Sequence, residues 1–202
     1  MIGSYGRTIE PFGSYGSYNS VSFYQLNGFS NKYVFSAPIL IPENVDFSIG
    51  FTIKGDRDVY EGLLESSTRD FWLRMLPSSQ FGNFQGYMES SYFGAVPHSS
   101  STVRDGTEKR IVLYRTSGDV YLKVVGVSDT LVASSNVAID VAFLGTYSNV
   151  EFGGYIYDFD VEVDGVLTNA IPLNVKSQGS TQLPTVGSIT AEIADYNETD
   201  WS

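Results

Sequence analysis

The sequence predicts an all-β protein, and three observations support that prediction. Its 202 residues include 14 Tyr, 13 Phe and 20 Gly, and aromatic and β-branched residues favour pleated, half-buried strands over helices. Short apolar or alternating segments are separated at brief intervals by turn residues, which is the pattern of a sandwich or barrel. No segment shows the helical apolar period of an amphipathic helix.

The strand segments share β-branched or aromatic residues flanked by Gly, Pro, Asn, Asp or Ser. In chain order they are SVSFYQL from 20, KYVFSAP from 32, DFSIGFTIK from 46, GLLESS from 62, DFWLRML from 70, GYMESSYF from 86, RIVLYRT from 110, DVYLKVVGV from 119 and YIYDFDVEVDGV from 155.

Two of these segments predict a hairpin with a defined register. A two-residue loop at Ser117 and Gly118 suits the turn types that match strand twist. Pairing around that loop places Tyr114 opposite Tyr121 and Leu113 opposite Leu122. The two tyrosines then pair on one face of the hairpin and the two leucines on the other, and such cross-strand pairs stabilise a sheet.

The last strand segment carries an acidic edge. Asp158, Asp160, Glu162 and Asp164 occupy every second position, so they share one face, and Tyr157, Phe159, Val161 and Val163 share the other. The main interpretation is a solvated strand face, because water and neighbouring cations screen like charges.

The two ends differ from the middle in composition. Residues 1–19 are rich in Gly, Ser and Tyr, and residues 177–202 are polar and acidic. We expect a flexible leader or an arm that orders on a partner at the N-terminus, and an exposed C-terminal extension that adds at most one strand. The aromatic residues predicted to serve these assembly arms are Tyr5, Phe12, Tyr15, Tyr18 and Trp201.

Charge and composition exclude several classes of function. The net charge of −11 opposes binding to a phosphate backbone, so no nucleic-acid partner is expected. The chain has no Cys, which removes disulfides, thiolate metal sites and cysteine nucleophiles. No secretory signal and no apolar run long enough to span a membrane is visible. We therefore expect no membrane insertion.

The order of the segments resembles a known family. SVSFYQLNGFSNKYVFSAPILIPENVDFSIGFTIKG resembles the opening of a laminin-G-like domain of the concanavalin A-like jelly-roll class. EKRIVLYRTSGDVYLKVVG is similar to the hairpin of that family, and GGYIYDFDVEVDGVLTNAIPL to its closing strand. The resemblance implies a two-sheet antiparallel jelly-roll sandwich over residues 20–176, with extended arms of residues 1–19 and 177–202.

The resemblance adds two alternatives for the acidic edge. Laminin-G-like domains often carry a calcium site in their loops, so Asp158, Asp160 and Glu162 are candidate metal ligands, although a straight strand needs loop ligands to surround a cation. Calcium is therefore the only cofactor left open. Some glucanases of this fold carry alternating acids on one strand. The aspartate at 158, where those enzymes use glutamate, argues against that activity.

Two loop positions are candidate ligand contacts. Phe84 and Tyr87 lie in QFGNFQGY, where an exposed ring could stack on a sugar or enter a protein pocket. His98 is the only histidine, and no nucleophile elbow, P-loop or dinucleotide fingerprint is present. We therefore expect a protein that is not an enzyme.

The fold and the missing export signal together predict a role. Jelly-roll domains of this class serve extracellular recognition, whereas virion proteins are made in a host cytoplasm and act outside. We expect a virion component of a tailed bacteriophage, namely a tail-fibre, spike or capsid-decoration protein. Its expected partners are other virion proteins and a host-surface polysaccharide, and symmetric homo-oligomers are typical of such parts. The alternative is a free carbohydrate-binding, lectin-like module.

Overall fold

The protein is a two-sheet antiparallel jelly-roll sandwich. The computed structural model describes residues 22–28, 30–80, 84–88, 91–96, 103–126 and 128–202. Two large sheets pack face to face, and a two-stranded ribbon packs against the larger of them. The fold predicted from the sequence is thereby confirmed.

The smaller of the two large sheets has seven strands. Their order is β1-β14-β3-β8-β9-β10, and β15 also pairs with β14. The strands are β1 (Gln25–Asn27), β3 (Phe47–Lys54), β8 (Lys109–Thr116), β9 (Asp119–Val124), β10 (Ser128–Ser134), β14 (Gly153–Val163) and β15 (Val166–Ile171).

The larger sheet has eight strands in the order β16-β17-β2-β11-β4-β5-β6-β7. They are β2 (Tyr33–Ile41), β4 (Glu61–Glu65), β5 (Phe71–Met75), β6 (Phe84–Met88), β7 (Ser91–Val96), β11 (Ile139–Leu144), β16 (Thr181–Gln182) and β17 (Ala191–Ile193). The ribbon consists of β12 (Thr146–Tyr147) and β13 (Val150–Glu151).

Short 3₁₀ turns lie at Ser78–Gln80, Lys176–Gln178 and Glu198–Asp200. None of the described helices has the length and apolar character that crossing a bilayer requires.

The predicted hairpin forms with the predicted register. Tyr114 lies opposite Tyr121 and Leu113 opposite Leu122. Ser117 and Gly118 have φ values of 52° and 85°, so both turn residues occupy the left-handed region that such two-residue loops require. The side-chain alternation places Leu113 and Leu122 in the core, and the two tyrosine rings stack on the outer surface.

The core fills the space between the two large sheets. Each central strand contributes alternate apolar residues that are fully or almost fully buried. Examples are Ile49 and Phe51 of β3, Leu113 of β8, Leu73 of β5, Val141 of β11 and Val161 of β14.

Strand β14 contains a bulge, so the unbroken alternation of side chains predicted for it is wrong. Tyr157 lies opposite Thr52, yet Asp160 lies opposite Gly50, so β14 has one extra residue there. Asp158 provides it, with φ at 51°. The alternation of side chains between the two faces of β14 shifts at this residue. Phe159 therefore faces the core, whereas Tyr157 faces the other side of the sheet. Tyr157 is buried there beneath Phe23, and the centroids of the two rings are 4.6 Å apart.

The C-terminal extension is part of the sandwich, which corrects the expectation of an exposed arm. Its strand β17 pairs with β2, within the segment SITAEIA. Trp201 is only 7% exposed and bridges to Tyr24. The ring of Tyr24 lies between those of Trp201 and Tyr196, in edge and stacked contacts of 5.4 and 5.5 Å. Trp201 is therefore a core residue.

The other residues predicted for the arms lie outside the described ranges. Tyr5, Phe12, Tyr15 and Tyr18 belong to the first 21 residues. Their role in assembly stays a prediction. His98 lies in the segment 97–102, which is also outside the described ranges.

Candidate binding surface on the larger sheet

Aromatic rings line the outer face of the larger sheet, where three strands run side by side. Trp72 of β5 lies opposite Tyr87 of β6, and Tyr87 lies opposite Tyr92 of β7. Phe71 and Leu73, on either side of Trp72, are buried in the core. Alternation therefore directs Trp72, Tyr87 and Tyr92 outward as one row.

The rings of this row contact one another. Trp72 and Tyr87 are stacked, with centroids 6.0 Å apart and planes within 8° of parallel. Tyr92 meets both of them edge-on, at 5.9 Å from Trp72 and 5.2 Å from Tyr87. Trp72 is 4% exposed and Tyr92 is 68% exposed. Within this row Trp72 is therefore buried and Tyr92 is exposed to solvent.

The ribbon adds a fourth ring. Tyr147 of β12 stacks on Trp72 with centroids 4.1 Å apart. This approach depends on Gly62 of β4, because a Cβ at that position would lie 1.9 Å from the backbone nitrogen of Tyr147. The absence of a side chain at one residue therefore lets the ribbon reach the tryptophan.

A cation lies among the rings. The guanidinium carbon of Arg74 is 5.1 to 5.3 Å from the ring centroids of Tyr60, Trp72 and Tyr147. Its Nε donates a hydrogen bond of 3.0 Å to Oε1 of Gln85, and Nη2 donates to the same oxygen. Cation–π contacts and this fork fix the orientation of the arginine.

We refer to these residues together as the aromatic surface. Its flat rings offer stacking area, and its amide and guanidinium offer polar contacts of fixed geometry. It consists of Tyr60, Trp72, Arg74, Gln85, Tyr87, Tyr92 and Tyr147.

The two predicted ligand contacts have different positions. Tyr87 lies at the centre of the aromatic surface, and its role in binding stays a prediction. Phe84 is 1% exposed, so the prediction that it is an exposed loop residue is wrong. Strand β6 begins at Phe84, and alternation directs this residue inward together with Gly86 and Met88.

Of the aromatic surface, only Tyr87 was predicted from the sequence as a ligand contact. The segment FWLRM contained the signal: Phe71, Leu73 and Met75 alternate with Trp72 and Arg74. A polar residue two positions from a tryptophan indicates that both face away from the core.

The predicted metal ligands lie on the other large sheet. Asp160 forms an ion pair with Arg110, whose guanidinium also donates to the carbonyl oxygen of Asp158. Partial burial raises the pKa of the Asp158 carboxyl, and Glu162 is exposed. No group of three or more His, Cys, Asp or Glu side chains among the described residues is arranged to hold a metal ion.

Similarity to known proteins is visible in the fold. No protein-family model matches the chain, and no curated protein matches it by sequence. A proposed carbohydrate-binding protein from Bacteroides ovatus matches 82% of this chain and 58% of its own, with 13% identity and a TM-score of 0.53. The native heptameric SAP-like pentraxin of Limulus polyphemus matches 69% of this chain and 74% of its own, with 11% identity and a TM-score of 0.50.

Other solved structures match with TM-scores below 0.5. The extracellular region of zebrafish Gpr126/Adgrg6 matches 70% of this chain at 16% identity with a TM-score of 0.48, and this chain spans 21% of that region. Laminin LG domains and galectins also match. Identities this low show similarity of fold alone.

Proposed function

We propose that this protein is a non-enzymatic recognition domain that binds carbohydrate on the aromatic surface. The observation that carries the proposal is the exposed ring of Tyr92, which is held against Tyr87 and Trp72 beside the oriented Arg74–Gln85 pair. The Bacteroides ovatus protein of similar fold is itself a proposed carbohydrate-binding protein, so this class of ligand has a precedent on the fold.

The chemistry of sugars suits such a surface. The C–H faces of a pyranose ring stack on flat aromatic rings, and its hydroxyl groups need fixed donors and acceptors. The rings of Tyr87 and Tyr92 lose little conformational entropy on binding because neighbouring rings already hold them. Gln85 and Arg74 lie on the adjacent pair of positions and supply the polar contacts.

The experiment is a screen of the purified chain on immobilised polysaccharides, followed by titration calorimetry with the best oligosaccharide. Tyr92→Ala is expected to weaken binding about tenfold, since one stacked ring contributes on the order of 1 kcal/mol or more. Tyr114→Ala, which removes an outer-face tyrosine of the other sheet, is the matched control. Equal affinity for Tyr92→Ala and the parent chain would refute the proposal.

The virion role is a second, finer proposal. It rests on the prediction from the sequence. Mass spectrometry of gradient-purified virus particles from the source culture tests it: a fixed ratio of this chain to the major capsid protein supports a virion component. Absence from intact particles leaves the free carbohydrate-binding domain.

A further inference from the structure

A cleft of about 810 Å³ lies beside the aromatic surface. Tyr87 belongs to both, since its ring stacks on Trp72 and also lines the cleft. The other walls come from the end of β2 and the loop after it, from the start of β11, and from the start of β5. A ligand that stacks on the aromatic surface therefore has a cleft directly next to it.

The cleft lies on the same outer face of the larger sheet as the aromatic surface. Asp140 of β11 pairs with Leu40 of β2, and the residues on either side of both positions are buried in the core. Alternation therefore directs Leu40 and Asp140 outward, and Leu40 is 73% exposed. Asp70 lies two positions before Trp72 and shares its face. One ligand can thus contact both places.

Carboxylates give the cleft its charge. Glu43, Asp70 and Asp140 line it, and no Lys or Arg is among its described lining residues. Within the described chain, none of these three carboxylates takes part in an ion pair. The net charge of −11 adds to the negative field. The cleft therefore favours a cationic group and disfavours an anionic one.

The turn between β4 and β5 orients two of these carboxylates. Oδ2 of Asp140 accepts a hydrogen bond of 2.8 Å from the backbone N–H of Ser67. Oδ2 of Asp70 accepts one of 2.8 Å from the hydroxyl group of Thr68. Each carboxylate uses one oxygen in these bonds, so its other oxygen is available to a donor on a ligand. An ammonium group would form charge-assisted hydrogen bonds there.

The wall of the cleft is held from inside the protein. The buried guanidinium of Arg115 donates to the carbonyl oxygens of Pro42 at 2.9 Å and Val137 at 2.6 Å. It also donates to the carbonyl oxygens of Val45 and Ser135. One side chain of the opposite sheet thus fixes both segments that form this wall, so little ordering is left for a ligand to impose.

We infer that the carbohydrate bound by this protein is an amino sugar polymer with free, protonated amines. Its sugar rings stack on the aromatic surface, and its ammonium groups enter the cleft and reach Asp70, Asp140 and Glu43. This inference rests on the proposed function, which it narrows to one class of carbohydrate. N-acetylated sugars lack the charge that the cleft favours, and sulfated or carboxylated sugars are repelled by it.

The test compares two soluble oligosaccharides with the same backbone and linkage, a pentamer of glucosamine and a pentamer of N-acetylglucosamine. Both are titrated into the purified chain by calorimetry in low-salt buffer at pH 5.5, at which the free amines carry protons. The glucosamine pentamer is expected to bind about tenfold more tightly, and added salt should remove most of this preference, because salt screens exposed ion pairs. Equal affinity for the two pentamers would overturn the inference.

Variants locate the preference. Asp70→Asn and Glu43→Gln each keep the size of the side chain and remove one charge. Each should weaken binding of the glucosamine pentamer about threefold and leave the N-acetylglucosamine pentamer unaffected. The control, Glu198→Gln, removes the same charge from an exposed 3₁₀ turn outside the cleft and should change neither affinity. A loss in Glu198→Gln as large as in Asp70→Asn would show that net charge alone attracts the amine, and would overturn the inference.

Tyr92→Ala separates this inference from the proposed function. It should weaken binding of both pentamers, because stacking does not depend on the amine. Binding of the neutral pentamer that needs Tyr92, without any preference for the amine, would refute the amino sugar and leave carbohydrate binding in place. A preference that depends on Asp70 but is undiminished in Tyr92→Ala would support the cleft and refute binding on the aromatic surface.

Discussion

The Glu61 carboxylate and the Arg104 guanidinium face each other inside the protein, with Oε2 and Nε 3.6 Å apart. Glu61 is fully buried. Its Oε1 accepts a hydrogen bond from the backbone N–H of Gly153 at 3.0 Å, whereas Oε2 accepts none. Arg104 donates hydrogen bonds to Asp58 and to the carbonyl oxygen of Val59 and faces Glu61 as an ion pair. The carboxylate is thus paired but incompletely solvated by protein groups.

This pair predicts a stability that falls as pH rises. Burial raises the pKa of the Glu61 carboxyl to about 7, although the Gly153 N–H and the charge of Arg104 act to lower it. A carboxyl whose folded-state pKa is raised stabilises the protein fully below its unfolded pKa and loses that contribution as pH rises through the folded value. The unfolding free energy of the parent chain should therefore fall between pH 5 and pH 8. In Glu61→Gln this fall should be smaller by about 2 kcal/mol.

Urea denaturation at the two pH values measures this difference. The control is Glu192→Gln, which changes an exposed carboxyl on β17 and should keep the parent pH dependence. A parent-like pH dependence in Glu61→Gln would show that Glu61 remains ionised throughout this range.

Arg115→Met is expected to lower the unfolding free energy by about 3 kcal/mol, because it leaves four carbonyl oxygens without their donor. Equilibrium denaturation measures the change. Lys123→Met removes a lysine whose side chain is 45% exposed and pairs with the exposed Asp129, so it should cost less than about 1 kcal/mol. Similar losses in the two variants would contradict the role assigned to Arg115.

Trp201→Ala tests whether the C-terminus belongs to the core. Truncating a buried tryptophan costs about 3 kcal/mol or more, and this variant also removes the hydrogen bond from the indole N–H to Tyr196. Leu183→Ala, which changes a residue that is 50% exposed in the same extension, is the control. A melting temperature unchanged by Trp201→Ala would restore the prediction of a docking arm.

Gly62→Ala should separate the ribbon from the aromatic surface. The added methyl group would overlap backbone atoms of Thr146 and Tyr147, so the ribbon must move and Tyr147 must leave Trp72. We expect a loss of about 2 kcal/mol in stability together with weaker carbohydrate binding. The near-ultraviolet circular dichroism of the stacked rings reports the displacement, and an unaltered spectrum would contradict the dependence on Gly62.

Calcium at the acidic edge remains a prediction that chelation can test. A cation bound only to the native state would raise the melting temperature in calcium and lower it in EDTA. The expected outcome is no shift, because Arg110 already pairs with Asp160 and a solvated strand face needs no cation. A shift that disappears in Glu162→Gln would establish the metal site.

The sequence by itself determined the all-β class and the register of the hairpin around Ser117 and Gly118. These two features follow from local patterns, since alternation and turn chemistry act over a few neighbouring residues. The jelly-roll arrangement of the strands was expected from the resemblance to laminin-G-like domains. Tyr87 was also identified as a surface position. The extra residue in β14 was not foreseen, because a bulge leaves the sequence pattern intact and changes only the pairing.

Only the tertiary structure decided which aromatic residues form a surface and which ends are ordered. Trp72, Tyr92 and Tyr147 meet because three hairpins place them on one face, and Trp201 is buried because Tyr24 and Tyr196 lie beside it. Contacts between residues far apart in the chain depend on the order of strands in the sheets. That order cannot be predicted from the local composition of the sequence.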